Sequence, residues 1–105
     1  MLVLATAGVL WQIERRHNQK PGSVGHRVTL TWDASASQDV NSYRIYISSV
    51  SGGPYTLVGS VEARDPRIFV DTGVEAGRTY YFVVTAVDPY GRESGYSAQQ
   101  EVQIP

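Results

Sequence analysis

The sequence predicts an all-β fold, a sandwich or a barrel, and two observations support this prediction. From His26 onward apolar and polar residues alternate with a period of two, and turn residues interrupt the alternation at intervals of about ten residues. No segment in this part has the period of an amphipathic helix. The 105 residues suffice for one domain with its own core, and the absence of cysteine excludes disulfides and thiolate ligands.

The first two predicted strands are RVTLTW and SYRIYIS, separated by the loop DASASQDVN, which is rich in Asp, Ser and Asn. Successive side chains of a strand point to opposite faces, so alternation sorts each strand into an inner and an outer set. The inner set comprises Val28, Leu30, Trp32, Tyr43, Ile45 and Ile47, and Arg44 and Tyr46 point outward.

The middle of the chain predicts two short strands between strong turn signals. SGGPYTLVGSV begins with Gly52, Gly53 and Pro54 and continues as an extended segment. EARDPR turns the chain again, because Pro66 disfavours the helical region for Asp65. IFVDTGVEAG then reads as a strand that ends in a glycine-marked corner.

The run RTYYFVVTAVD predicts the longest strand, and AQQEVQIP predicts the closing one. Both faces of the long strand are apolar, which indicates a central strand or one with a second contact surface. One face carries Tyr80, Phe82, Val84 and Ala86, and the other carries Tyr81, Val83, Thr85 and Val87.

Four segments in this order resemble the bacterial type of fibronectin type III domain: VTLTWDAS, SYRIYIS, SGGPYTLVGS and VDTGVEAGRTYYFVVTAVDPYGRES. In the last of these, Val74 stands at the apolar position of the motif and Tyr80 at its tyrosine, six residues later. The resemblance covers residues 26–105 and implies an immunoglobulin-like sandwich of seven antiparallel strands. The chain departs from the family at the front, where QIERRHNQKPGSVG replaces the usual proline-rich entry to the first strand.

The resemblance also implies how the core is arranged. Tyr80 is expected to turn its hydroxyl back to a main-chain group between Val74 and Arg78, the arrangement called a tyrosine corner. Trp32 is expected to pack in the middle of the core. The aromatic core residues expected on this basis are Trp32, Tyr43, Phe69, Tyr80 and Phe82.

Catalysis, cofactors and metals find little support in the sequence. The two histidines, His17 and His26, lie outside or at the edge of the predicted sandwich, and no nucleophile or phosphate-loop motif is present. Asp33 and Asp39 flank one loop without the spacing of a calcium loop, so a solvated turn is favoured over a weak calcium site. The net charge of −1, with four of nine basic residues in the first 27 positions, leaves a mildly acidic body and argues against nucleic-acid binding.

Two surfaces are candidates for binding. If the second and the longest strands pair, Arg44, Tyr46, Tyr81 and Val83 become neighbours on an outer face with the composition of an interface core. The alternative is that the hairpin through Tyr55 and Leu57 folds over this face and covers it. The second candidate surface is the loop PYGRES, through Tyr90 and Arg92, because end loops of sandwiches often carry binding functions.

Residues 1–25 are treated as an N-terminal segment that precedes the fibronectin type III-like residues 26–105. MLVLATAGVLW would extend about 16 Å as a helix, too little for a bilayer core of about 30 Å. Two interpretations remain open: the remnant of a signal or anchor sequence, or a first strand in which Val9, Trp11 and Ile13 alternate.

Together these features predict a non-catalytic module for protein–protein interaction or spacing. The resemblance implies an exported or cell-surface bacterial setting, as an accessory to a larger protein. The expected partner is another protein or a neighbouring domain, with membrane contact only through an N-terminal anchor. The alternative is a carbohydrate-binding accessory module that stacks a glycan on Tyr46, Tyr81 and Tyr90.

Overall fold

The computed structural model describes residues 10–15, 26–35 and 39–105, and all regular secondary structure in them is β-strand. The strands form two antiparallel sheets, one of three strands in the order β1-β2-β5 and one of four in the order β4-β3-β6-β7. This is the sandwich that the sequence predicts. The strands are β1 (Leu10–Arg15), β2 (His26–Thr31), β3 (Ser42–Ser48), β4 (Thr56–Glu62), β5 (Ile68–Asp71), β6 (Thr79–Val87) and β7 (Gln100–Gln103).

The strand β1 lies in the N-terminal segment for which the sequence left two interpretations. It pairs with β2 in antiparallel register from Leu10 opposite Thr31 to Arg15 opposite His26. Residues 10–15 therefore take the place of a first strand beside β2. Residues 1–9 and 16–25, which include Val9 and His17, lie outside the described residues, so the signal or anchor interpretation stays a prediction for them.

The core lies between the inner faces of the two sheets. The Trp32 ring meets the Tyr43 ring edge to face, with centroids 5.6 Å apart, a geometry that aromatic pairs prefer. Phe69 and Tyr80 are half-buried and pack against the fully buried residues, so all five expected aromatic residues belong to the core. The buried members are Val28, Leu30, Trp32, Tyr43, Ile45, Val74, Phe82, Val84, Ala86, Val102 and Ile104.

One edge of the sandwich closes where β4 approaches β5. Gly59 pairs with Ile45 while Leu57 pairs with Tyr46, so Val58 is an extra residue that forms a β-bulge. The bulge turns Gly59 toward Phe69 of β5. A Cβ at Gly59 would lie 2.3 Å from the Phe69 ring, so only glycine leaves room for that ring.

The start of β6 holds the tyrosine corner expected from the family resemblance. The backbone N–H of Glu75 donates to the Tyr80 hydroxyl at 2.9 Å, and Val74 beside it is buried. The hydroxyl therefore acts as the acceptor. Gly77 supplies the turn with a φ of 79° and donates its N–H to the carbonyl of Ile104, which ties this corner to the end of β7.

Candidate functional site

The pairing of β3 with β6 sets the outer face of the four-stranded sheet. Arg44 lies opposite Thr85, Tyr46 opposite Val83, and Ser48 opposite Tyr81. The structure thus brings together the four residues that the sequence placed on this face. Arg44, Tyr46 and Tyr81 are half-buried, but Val83 is only 2% exposed, so this side chain is not available to a partner.

The centre of this face is the carboxylate of Glu93. Its Oε1 accepts a hydrogen bond from Arg44 Nη1 at 2.9 Å, and its Oε2 accepts one from Thr85 Oγ1 at 2.7 Å and another from the Tyr46 hydroxyl. Three donors from two strands therefore converge on one charged group. A carboxylate bonded in this way is fixed in position.

Glu93 reaches this face because the β6–β7 connection, residues 88–99, runs back beside β6. Glu93 bridges to Val87, and the N–H groups of Ser94 and Ser97 donate to the carbonyls of Ala86 and Val84 at 2.8 and 2.9 Å. The two serine hydroxyls accept from the N–H groups of the same two residues, each at 2.9 Å. Serine side chains thus replace the carbonyl partners of a regular strand.

Burial and hydrogen bonding act against each other on the pKa of Glu93. Burial alone would raise that pKa, but hydrogen bonds from Thr85 and Tyr46 and the charge of Arg44 outweigh it and lower the pKa below its usual value. The pKa of Tyr46 is raised, first by burial and then by its bond to Glu93. Both directions favour an ionised Glu93 beside a neutral Tyr46 at neutral pH.

Two connections meet above the outer face through aromatic rings. The Tyr96 ring lies 5.4 Å from the Tyr46 ring and 5.0 Å from the Tyr55 ring, in edge-on geometry with both. The Gln99 side-chain carbonyl accepts from the Tyr55 hydroxyl and, at 2.7 Å, from the N–H of Gly52. The β3–β4 connection, residues 49–55, is thereby joined to the β6–β7 connection.

The chain therefore covers much of its own outer face. Tyr55 takes part, as the hairpin alternative expected, but Leu57 is 51% exposed and does not. The cover comes mainly from Glu93 and Tyr96 of the β6–β7 connection. What remains open is a shallow depression, here called the Tyr96 groove, lined by Tyr46, Thr85, Glu93, Ser94, Gly95 and Tyr96.

The tip of the β6–β7 connection is a second, separate cluster. The Asp88 carboxylate accepts from the N–H groups of Tyr90 and Arg92, both at 2.9 Å, and from Arg92 Nε at 2.6 Å. Burial alone would raise the pKa of Asp88, but these bonds and the Arg92 charge lower it. The turn presents Tyr90, 85% exposed, with the Arg92 guanidinium 5.5 Å from its ring centre.

The six candidate binding residues thus divide between two places. Tyr81 lies near the start of β6 and the tip follows its end at Val87, a separation of about 20 Å at the rise of an extended strand. Sequence reasoning placed Glu93 only in the loop and did not single out Tyr96. The two serines of SGYS, Ser94 and Ser97, whose hydroxyls accept from alternate residues of β6, are the signal that could have indicated this return.

Other kinds of site were sought within the described residues. They contain no group of three or more His, Cys, Asp or Glu side chains able to hold a metal ion. Asp33 and Asp39 are both exposed. No helix in this part of the chain is long and apolar enough to span a bilayer.

The strand order and the tyrosine corner define an immunoglobulin-like β-sandwich. An Fn3-like protein from Clostridium thermocellum is 39% identical, with a TM-score of 0.65, over 75% of this chain and 77% of that one. The chain belongs to the fibronectin type III family. The sixth fibronectin type III domain of human fibronectin type III domain containing protein 3, 21% identical over 75% of this chain and 72% of its own with a TM-score of 0.62, shares the fold. The sequence matches no family model.

Longer proteins contain similar modules. An amylopullulanase from Thermoanaerobacter thermohydrosulfuricus is 41% identical over 71 residues, which is 67% of this chain and 5% of that protein. A poly(3-hydroxybutyrate) depolymerase from Ralstonia pickettii is 39% identical over 71 residues, 68% of this chain and 12% of that protein. The chain thus corresponds to a small region of larger bacterial enzymes.

Proposed function

We propose that this chain is a non-catalytic accessory module that spaces, or makes protein contacts between, the parts of a larger bacterial protein. The observation that carries the proposal is the closed network on the outer face. Arg44, Tyr46 and Thr85 direct their hydrogen bonds to Glu93 of the same chain. A face whose polar groups bond one another maintains a rigid body and leaves no poised reactive group.

The range of relatives supports a task that does not depend on one substrate. Modules 41% and 39% identical to this chain lie in an amylopullulanase and in a poly(3-hydroxybutyrate) depolymerase, whose names point to chemically different polymers. A domain that supplied substrate chemistry would not be expected to serve both. Both names are those of polymer-degrading enzymes, which supports an exported or cell-envelope setting because a polymer is cut before it is taken up.

The tip of the β6–β7 connection is the surface best suited to a protein contact. Tyr90 protrudes from a turn that Asp88 and Gly91 hold in shape, and Arg92 lies over its ring. Tyrosine and arginine are the residue types enriched where binding energy concentrates in protein interfaces. The pre-formed turn lowers the entropy lost on contact.

Photo-crosslinking in the native host tests this proposal. A benzoylphenylalanine replaces Tyr90 in one variant and Ser60, an exposed residue of β4 away from the tip, in the other. We expect protein crosslinks from position 90, to a neighbouring region or to a second protein, and few from position 60. Equal yields from both positions would contradict a contact at the tip, and hydrolysis of pullulan or poly(3-hydroxybutyrate) by the purified chain would contradict a non-catalytic role.

A carbohydrate-binding module is the second candidate function, and the structure changes which residues would serve it. Tyr46 takes part in the Glu93 network, and about 20 Å of β6 separates Tyr81 from Val87, after which the connection with Tyr90 begins. These three rings therefore do not form one platform. The specific observation in favour of glycan binding is Tyr96, which is 54% exposed beside a row of fixed polar groups.

A further inference from the structure

We propose that the Tyr96 groove binds a neutral hexopyranose chain, with the ring of Tyr96 as platform and the Tyr46 and Glu93 groups as its polar wall. This inference rests on the second candidate function and is independent of the spacing role. It assigns the site to a ring and a carboxylate that lie on the β6–β7 connection, away from both the Tyr81 end of the face and the Tyr90 tip.

The platform is an exposed ring with a fixed orientation. Tyr96 contacts Tyr46 on one side and Tyr55 on another, with interplanar angles of 71° and 70°. These two edge-on rings hold the Tyr96 ring in place, and Tyr96 remains 54% exposed. The C–H face of a hexopyranose stacks on such a ring because it covers apolar surface without losing the solvation of its hydroxyls.

The polar wall offers hydrogen-bond acceptors to sugar hydroxyls. The Tyr46 hydroxyl donates to Glu93 and retains lone-pair density that accepts from a hydroxyl, whereas Thr85, which is 1% exposed, holds Glu93 from within the sheet. Glu93 is held by Arg44 from the far side at 2.9 Å, so the wall does not have to be ordered when a ligand arrives. Arg44 also balances the charge of the carboxylate, which suits a neutral ligand.

The space between wall and platform is kept open by glycine. Gly95 separates Ser94 from Tyr96, and a Cβ placed on it would meet no atom within 4 Å. Its φ is not in the positive range, so other residues fit the backbone there. Gly95 lines the groove, so a large side chain at this position can reach over the groove without disturbing the sandwich and provides a means of blocking the site.

The shape of the groove favours a chain over a small compact ligand. Pockets for small molecules usually enclose most of the ligand surface, whereas this depression is shallow and open along its length. A polymer can lie across such a surface and gain affinity from successive residues. Nucleic acid is a poor fit, because Arg44, the basic residue bonded to the polar wall, already pairs with Glu93.

Binding of maltoheptaose and cellohexaose to the full chain, measured by amide chemical-shift changes in titrations, tests the proposal. We expect at least one of the two to shift the amides of residues 94–96 and to leave those of residues 89–91 unchanged. Tyr96→Ala and Gly95→Leu should each weaken binding about tenfold or more, the order expected when a central tyrosine contact is lost. Tyr96→Phe keeps the ring and should bind within about twofold of the parent chain.

Tyr90→Ala is the matched control, because Tyr90 is a more exposed tyrosine at the distant tip. It should bind like the parent chain. The proposal is overturned if neither oligosaccharide shifts residues 94–96, or if Gly95→Leu melts like the parent and binds equally well. A shift of tip residues with loss of binding in Tyr90→Ala would also overturn it. None of these outcomes affects the spacing role, which the photo-crosslinking experiment tests separately.

Discussion

At the scale of single residues, the adjacent tyrosines Tyr80 and Tyr81 have opposite tasks. Tyr80 points into the sandwich and receives the N–H of Glu75, while Tyr81 lies on the outer face, and its hydroxyl makes no hydrogen bond within the described residues. Alternation along β6 is the cause, because neighbours in a strand face opposite sides. The sequence therefore allowed both assignments to be predicted before any contact was known.

Removing the Tyr80 hydroxyl tests the corner directly. Tyr80→Phe leaves the ring in place and deprives the Glu75 N–H of its acceptor, so we expect a loss of about 1 kcal/mol in the free energy of unfolding. Urea denaturation of Tyr80→Phe and of the parent chain measures this loss. Tyr81→Phe is the matched control and should unfold like the parent; equal behaviour of the two variants would contradict the corner.

Gly59 is a second residue whose identity is set by one contact. A Cβ there would lie 2.3 Å from the Phe69 ring, and overpacking of this kind ordinarily costs about 1–3 kcal/mol. We expect Gly59→Ala to lower the midpoint of urea denaturation clearly. Gly95→Ala, where a Cβ meets nothing within 4 Å, should change it little. A Gly59→Ala chain as stable as the Gly95→Ala chain would show that β4 and β5 lie further apart than described.

At the scale of elements, the β6–β7 connection is the feature that most changes the character of the sheet. Serine hydroxyls and backbone groups tie it to β6, and Glu93 ties it to β3. The long apolar strand with two buried faces thus has its second face covered within the chain. The outer face of β6 is closed by an element that follows it in sequence.

Replacement of Glu93 by glutamine tests this closure through its pH dependence. Glu93→Gln should lower the free energy of unfolding at pH 7 by about 1 kcal/mol, at the low end for bonds to a charged group because the side chain is 27% exposed. The folded-state pKa of Glu93 lies below its usual value, so its contribution is present above about pH 4.3 and is lost as pH falls through the folded-state pKa.

Thermal melts of both chains from pH 7 to pH 3 measure this effect. The gap between parent and Glu93→Gln should be constant down to about pH 4.3 and narrow below it. Glu75→Gln is the control, since its ion pair with Arg78 has side chains 67% and 62% exposed and contributes little. A gap that does not change over the whole range would show that the charge of Glu93 contributes nothing to the closure.

The burial pattern of the strands could be predicted from the sequence, whereas the contacts of the connections could not. Alternation in RVTLTW, SYRIYIS and RTYYFVVTAVD indicates which residues are buried because burial depends on a local period. The bulge at Val58 and the return of Glu93 depend on contacts with residues far away in sequence, and Arg44 lies 49 positions before Glu93. No local pattern encodes such a contact, so the sequence left open whether the face with Val83 is covered, and the structure shows Val83 buried.

At the scale of the whole molecule, the described residues form a sandwich with a closed outer sheet face, the Tyr96 groove and a protruding turn at Tyr90. This is consistent with a family that contributes only 5% of the length of a much longer relative. The core of the sandwich would supply the rigidity that the proposed spacing role requires, and Tyr90, Glu93 and Tyr96 all lie on the β6–β7 connection. Under the two proposals, substitutions in residues 88–99 would change which partner or glycan is bound without a change in the core.

The central claim is that the chain closes its own outer face, and thiol labelling in the native state tests it most directly. The chain has no cysteine, so Val83→Cys and Tyr90→Cys each carry a single thiol. Val83 is 2% exposed and Tyr90 is 85% exposed. We expect the thiol of Val83→Cys to be protected from an aromatic disulfide reagent until the chain unfolds, and that of Tyr90→Cys to react at once. Rapid labelling of both thiols in the folded chain would contradict the closed face.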